Sequence, residues 1–302
     1  MKLLTFRLSP SRRARFGALL SNGHVLDITG LDRRDLPPTL LRCIQGGEAA
    51  LATVRTAVDD AEASLKAGRT SGHVHPMEAA RIQLPYVPGK IVALGRNYGE
   101  HVAETGSAAP GIPNAFMKLT NSLIAHGEAI RKPAWTRKLD YENELVTVIG
   151  RDCVNVAEDR WEDVVFGYTI MNDVSARDVQ LQERSDGNIL VGKNFPAAAP
   201  LGPWIVTKDE VLDPHALRLV TRVNGEVRQD ASTASQIHRI PRQVSWYSRL
   251  GFQAGDMISS GTPAGVAMGY HGPGSWYLKH GDVVECELVG VGVLRNPVRR
   301  AL

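Results

Sequence analysis

The sequence predicts an α+β fold that is mainly β. Three observations carry this reading. Short β-branched and apolar runs recur along the chain between Gly, Pro and Asn punctuation, for example Ile91 to Leu94, Leu145 to Ile149 and Val283 to Leu288. Asn-Gly pairs at Asn22-Gly23 and Asn224-Gly225 sit between such runs, where their tolerance of positive φ favours tight hairpins. Long helical periodicity is confined to one stretch, Leu40 to Ala67.

Taken in order, residues 3 to 7, 15 to 20 and 24 to 28 read as three strands, the last two joined at Ser21-Asn22-Gly23. Pro37-Pro38 breaks the chain before the helical stretch, which Gly46-Gly47 interrupts. Nothing here groups reactive side chains. Residues 1–85 are therefore expected to form a small α+β accessory domain, ending in the linker Pro85 to Gly89, with residues 86–302 as the catalytic domain.

From Lys90 the character changes. A buried-type strand, Ile91 to Gly95, leads into the polar, glycine-punctuated segment Arg96 to Gly106, which reads as a mobile lid with Ala108 to Pro113 as its hinge. Asp140 to Gly150 and Trp161 to Ile170 are expected strands, and a helix running from Asp173 would stack Asp173, Arg177 and Gln180 on one face. Gly187 to Asn194 resembles a phosphate loop but has Asn194 in place of the magnesium-binding Ser or Thr. Pro196 and Pro200 forbid the helix that should follow, so nucleotide binding is rejected. Leu217 to Val223 and Glu226 to Gln229 form the second hairpin, and Gln243 to Leu250 is an expected helix. Met257 to Val266 is a strand running into a turn that exposes the Thr262 hydroxyl. Val283 to Leu288 and Gly292 to Leu294 close the chain, and His271, in a glycine-flanked loop, receives no role.

Composition excludes several classes. Across 302 residues, 35 basic and 32 acidic side chains leave a net charge of +3, too slight for a nucleic-acid or membrane-surface protein. The run Arg12 to Arg15 reads as a solvated turn. No stretch approaches the ~20 apolar residues of a membrane span and no signal-peptide core opens the chain, which predicts a cytoplasmic protein. Three widely spaced cysteines, Cys43, Cys153 and Cys286, suggest neither a disulfide framework nor a thiolate zinc site.

The chemistry-bearing residues are carboxylates. Glu142 and Glu144, two apart on a strand, leave the same face roughly 7 Å apart at the backbone. Such a pair requires a cation, a proton or open water, and a solvated edge strand would satisfy it. Asp173 adds a third carboxylate about thirty residues on. An oxygen-only set suits magnesium or manganese, with calcium as the further hard cation. His101 and Glu104 are three apart, on one face of any helical turn; they are either a solvated pair or a general base oriented by a carboxylate. Lys193 is either a surface lysine or a partner for developing negative charge.

As a set, Gly95-Arg-Asn-Tyr-x-x-His-x-x-Glu104, Leu139-Asp-Tyr-Glu-x-Glu-Leu145, Asn172-Asp-Val-Ser-Ala-Arg-Asp-x-Gln180, Gly192-Lys-x-Phe195, Leu201-Gly-Pro-Trp-Ile-Val-Thr207 and Gly261-Thr-Pro-Ala-Gly-Val266 resemble the fumarylacetoacetate hydrolase family. The resemblance covers roughly residues 85 to 300. It implies a mixed β-roll C-terminal domain behind a small variable N-terminal one, a homodimer, and a magnesium or manganese ion on Glu142, Glu144 and Asp173. It also implies a His101–Glu104 water-activating dyad on a lid, Lys193 beside the metal, and substrate contacts at Arg96, Tyr98, Arg177, Gln180 and Thr262. Asn143 stands where the family usually has an apolar residue, and Pro196 departs from the usual sequel to Gly-Lys-x-Phe. The implied activity is hydrolysis of a carbon–carbon bond in an acylpyruvate-type 2,4-diketo acid such as fumarylpyruvate. Isomerase, decarboxylase or hydratase action on an unsaturated 2-oxo diacid is the alternative on the same site.

Overall fold

The structure is a computed structural model that describes residues 1–9, 11, 13–69, 71–106 and 108–301. Lys2–Leu8, Arg15–Leu19 and Val25–Asp27 pair antiparallel, with Gly23 supplying the positive φ (81°) of the hairpin turn. Leu40–Gln45 and Gly47–Lys66 are the helices on either side of the predicted interruption, the first capped by the Thr39 hydroxyl accepting from Arg42 N. Leu51, Val54, Ala57 and Val58 recur at helical spacing and are buried.

Several boundaries differ from those expected. Trp161–Val164 belongs to a 3-10 segment, Glu158–Val164, in which five of seven residues are charged, so no apolar alternation supports a strand until Val165–Asn172. The acidic strand is also divided. Leu139–Asp140 pairs with Ser175–Ala176, and the main strand is Asn143–Ile149. Ile240–Tyr247 starts ahead of the expected helix because Pro241 occupies its first turn, where a missing N–H costs nothing. Gly292–Arg300 runs well past Leu294, and Ala199–Thr207 is a strand that was not anticipated. Arg15 opens its strand and pairs with the buried Asp27 carboxylate instead of facing only solvent, whereas Arg12 lies outside the described residues.

A twelve-stranded mixed sheet runs Val74–His75, Val25–Asp27, Arg15–Leu19, Lys2–Leu8, Ala199–Thr207, Val165–Asn172, Asn143–Ile149, Met257–Ser259, Ile91–Leu94, Ala115–Lys118, with two short strands joined at its flanks. It is continuous because Lys2 and Leu3 register against Val206 and Ile205, carrying the N-terminal strands onto the C-terminal ones. A five-stranded sheet, Glu226–Ser232, Arg218–Val223, Val283–Leu288, Gly292–Arg300, Ile130–Lys132, forms the second layer.

Asn143–Ile149 is central and buried along its whole length, so the solvated-edge reading of its glutamates does not hold. Alternation sends Leu145 and Ile149 into a core with Leu219, Val284 and Leu288 of the second sheet, and Val146 and Val148 into another with Leu40, Ile44 and Val54 of the helices. Asn143 belongs to the first face. Its Nδ2 donates to the carbonyls of Val220 (3.2 Å) and Glu287 (3.1 Å), tying the two sheets together. An apolar residue could not supply those bonds, which accounts for Asn143 between the two glutamates. Glu144 belongs to the opposite face, at the end of the strand where the apolar core gives way to charge.

Candidate active site

Strand register builds the acidic cluster. Asn143 pairs with Asn172 and Glu144 with Met171, so the chain beyond each strand end brings Glu142 beside Asp173, whose N–H donates to the Glu142 carbonyl at 2.8 Å. One carboxylate oxygen from each of Glu142, Glu144 and Asp173 lies within 4.8 Å of the others. All three residues are buried. Three carboxylates out of water require cations, and the surrounding elements supply them.

Lys193 stands on the one-turn helix Val191–Asn194, with its Nζ 2.6 Å from Glu142 Oε2 and 2.7 Å from Asp173 Oδ2. Gly192 permits this approach, since a Cβ there would lie 2.7 Å from Gln180 N on the helix Arg177–Ser185. Lys118, at the end of Ala115–Lys118, places its Nζ 2.6 Å from Asp173 Oδ1 and also donates to the Lys193 carbonyl. Arg177 reaches Asp140 Oδ2 and Glu142 Oε1, each at 2.7 Å, and Gln180 Oε1 at 2.9 Å. Asp140 also accepts from the N–H groups of Ala267 and Met268, so it holds the loop after Thr262 against the site.

The two glutamates are electrostatically unlike. Burial pushes the Glu142 carboxyl up, but Lys193 and Arg177 outweigh it and hold the group well below the usual carboxylate range. Burial followed by the Asp173 and Glu142 charges pushes Glu144 well above that range. Its Oε2 accepts from Ser259 Oγ and, at 3.1 Å, from Gly261 N, whereas its Oε1 is buried with no partner. A buried carboxylate oxygen without a partner, in a cluster of three carboxylates, fits a divalent cation, and the oxygen-only donor set fits magnesium or manganese. The residues that would hold such an ion are Glu142, Glu144 and Asp173, the same three carboxylates that the family resemblance implies.

Above the cluster opens a cleft of about 310 Å³, lined among others by Arg96, His101, Phe116, Glu142, Arg177, Gln180, Lys193 and Thr262. His101 and Glu104 lie on the short helix Gly99–Glu104, with Nδ1 3.4 Å from Glu104 Oε2. Glu104 Oε1 in turn accepts from Gly265 N at 3.0 Å, and Gly269 leaves room for it in this position, since a Cβ there would lie 2.0 Å from the Glu104 carboxyl carbon and displace the carboxylate. A carboxylate fixed from behind leaves imidazole Nε2 to accept a proton. Arg96 lines the cleft with φ at 57°, a left-handed conformation that costs a non-glycine residue about 1–2 kcal/mol.

Among the expected substrate contacts, Tyr98 is the one outside the cleft wall. Its side chain is wholly buried, its hydroxyl accepts from Gln236 Nε2 at 3.1 Å, and burial raises its pKa to about 12. Thr262 is in the wall, but its hydroxyl is engaged, donating to Asn143 O and accepting from Gln229. Lys118, Asp140 and Ser259 were missed from the sequence. Asp140 stood inside the quoted Leu-Asp-Tyr-Glu motif and Ser259 in the quoted strand, but the lysine ending Ala-Phe-Met-Lys carries no local signal. Only the pairing of its strand with Ile91–Leu94 brings it to Asp173.

Residues 90–299 match the family model described as fumarylacetoacetate (FAA) hydrolase, C-terminal. A mitochondrial oxaloacetate tautomerase of Xenopus laevis is 35% identical over 301 residues, spanning 99% of this chain and 90% of its own. Two solved structures align over the whole of both chains: 5-carboxymethyl-2-hydroxymuconate delta-isomerase from Mycobacterium smegmatis, at 32% identity and TM-score 0.74, and maleylpyruvate hydrolase from Sphingobium sp. SYK-6 in complex with manganese(II) and pyruvate, at 28% identity and TM-score 0.77. With its buried carboxylate triad at the paired ends of two antiparallel neighbouring strands and its matched residues covering most of the sequence, the chain belongs to the fumarylacetoacetate hydrolase family of enzymes.

Proposed function

We propose that the protein hydrolyses a carbon–carbon bond in an acylpyruvate-type 2,4-diketo acid, using a divalent metal ion. The observation that carries this reading is the His101–Glu104 pair, backed by Gly265 N–H, in the same cleft as Lys193. Magnesium or manganese on the triad would act as a Lewis acid toward the substrate's 2-oxo acid end. Arg177 and Gln180 orient that end from their helix, and Phe116 limits water.

His101 Nε2 takes a proton from water, and the hydroxide adds to the C4 carbonyl. The C3–C4 bond then breaks, its electron pair passing to C3 as the enolate of pyruvate. Lys193 shares the developing charge, and the imidazolium returns its proton to C3, releasing pyruvate and a carboxylic acid that loses its proton to solvent. Glu104 stabilises the imidazolium between the two transfers. The cleft is many times the ~10–15 Å³ that admits a single water, leaving room for substrate beside the nucleophile.

A second reading keeps the base and omits the water. His101 would move a proton at C3 of a 2-oxo diacid, interconverting keto and enol forms, and the full-length likeness to the Xenopus tautomerase favours it. The two separate in a screen of acylpyruvates and oxaloacetate with added Mg²⁺ or Mn²⁺, followed by product identity. Stoichiometric pyruvate and carboxylic acid are expected. Accelerated enol–keto exchange with no acylpyruvate cleaved would replace hydrolase by tautomerase.

A further inference from the structure

Arg177, Gln180 and Arg184 occupy i, i+3 and i+7 of the helix Arg177–Ser185, and all three line the cleft. Arg177 and Arg184 are thus about 10 Å apart along the helix axis. Their charges are not equivalent. Arg177 is neutralised by Asp140 and Glu142, whereas neither Arg184 nor its cleft neighbour Arg96 has a carboxylate partner among the described residues. The nearest acid in sequence, Glu183, turns away to accept from the N–H groups of Leu190, Val191 and Gly192. The cleft therefore has a satisfied end at the acidic cluster and an unsatisfied cationic end. We propose that Arg184, with Arg96 beside it, receives a second carboxylate on the substrate and is the residue by which the enzyme selects 2-oxo diacids over 2-oxo monoacids.

This inference rests on the 2-oxo acid reading above. Two unpartnered guanidiniums facing one cleft repel each other, and partial burial together with Arg96 and Arg177 holds Arg184 below its ordinary range. A carboxylate between them removes that repulsion, and a guanidinium fork matches its geometry with paired N–H donors. Arg96 holds its left-handed backbone conformation at this same end of the cleft.

The test is calorimetric titration of the Mn²⁺-loaded protein with 2-oxoglutarate and with 2-oxopentanoate, which share a chain length and differ only in the terminal carboxylate. The wild type is expected to bind the diacid at least about 10-fold tighter, the size of one charge-assisted contact. In Arg184→Gln the preference should fall toward unity, the loss falling on the diacid, and Arg184→Lys should keep part of it. More than a third of Arg184 is open to solvent even though it is partly buried in the cleft wall, so neither change disturbs a packed core. Equal binding of the two acids by the wild type, or a preference that survives in Arg184→Gln, would overturn this inference and leave the 2-oxo acid reading standing. Failure of both acids to bind would overturn that reading and this inference with it.

Discussion

Lys118→Met tests whether the buried cations are part of the site's design. In the structure each oxygen of Asp173 is held by one ammonium, Oδ1 by Lys118 at 2.6 Å and Oδ2 by Lys193 at 2.7 Å. At an effective dielectric of 20, a unit pair at 2.6 Å is worth about 6 kcal/mol. Returning the Lys118 ammonium to water recovers several of those, and burial already pulls this lysine below its ordinary range despite Asp173. Losing one partner of a buried pair costs ~3–5 kcal/mol, and Asp173 keeps Lys193, so we expect a loss near 3 kcal/mol. The assay is urea unfolding of metal-free wild type and variant, repeated at saturating Mn²⁺. A divalent ion restores positive charge among the carboxylates, so the gap between the two proteins should narrow when metal is added. A metal-free loss below ~1 kcal/mol, or a gap that Mn²⁺ leaves unchanged, would refute the electrostatic account.

Three further outcomes follow from other parts of the molecule. His101→Ala should lower kcat by about 10²–10⁴-fold while Mn²⁺ and pyruvate still bind by calorimetry; unchanged turnover would remove His101 from the role of base. Asn143→Leu deprives the carbonyls of Val220 and Glu287 of their donor and should cost about 2–4 kcal/mol in denaturant unfolding, so a change within ~0.5 kcal/mol would show that the sheets do not depend on it. Cys43 and Cys286 are buried, and burial pushes the Cys43 thiol up to about 12 and the Cys286 thiol further in the same direction. Native protein at pH 8 should therefore release no more than one equivalent with a thiol-exchange reagent, from Cys153, and three after unfolding. Rapid reaction of all three without denaturant would contradict this packing.

The fold was legible where local physics acts alone. Asn22-Gly23 makes its turn through a backbone preference, and Leu51, Val54 and Val58 make their helix face through a period of 3.6 residues. It was less legible where a segment's state depends on distant partners. Ala199–Thr207 contains two prolines and a glycine, yet it is a strand because Lys2–Leu8 and Val165–Asn172 lie on either side of it. Glu158 to Val164 reads ambiguously next to an apolar run, and the true strand begins only where both faces are covered.

By itself, the sequence determined that Glu142 and Glu144 share a face, that His101 and Glu104 share another, and that Arg177 and Gln180 stack along a helix. Each is a consequence of strand or helix repeat, which acts over a few residues. Tertiary structure decided what those faces meet. Strand pairing brought Asp173 to Glu142, and the sheet order buried Lys118 against Asp173. Packing closed the wall around Tyr98, and the second sheet gave Asn143 its partners. The cause is physical: whether a carboxylate is a solvated charge or a metal ligand depends on the groups that exclude water from it, and in this chain those groups come from segments far apart in sequence.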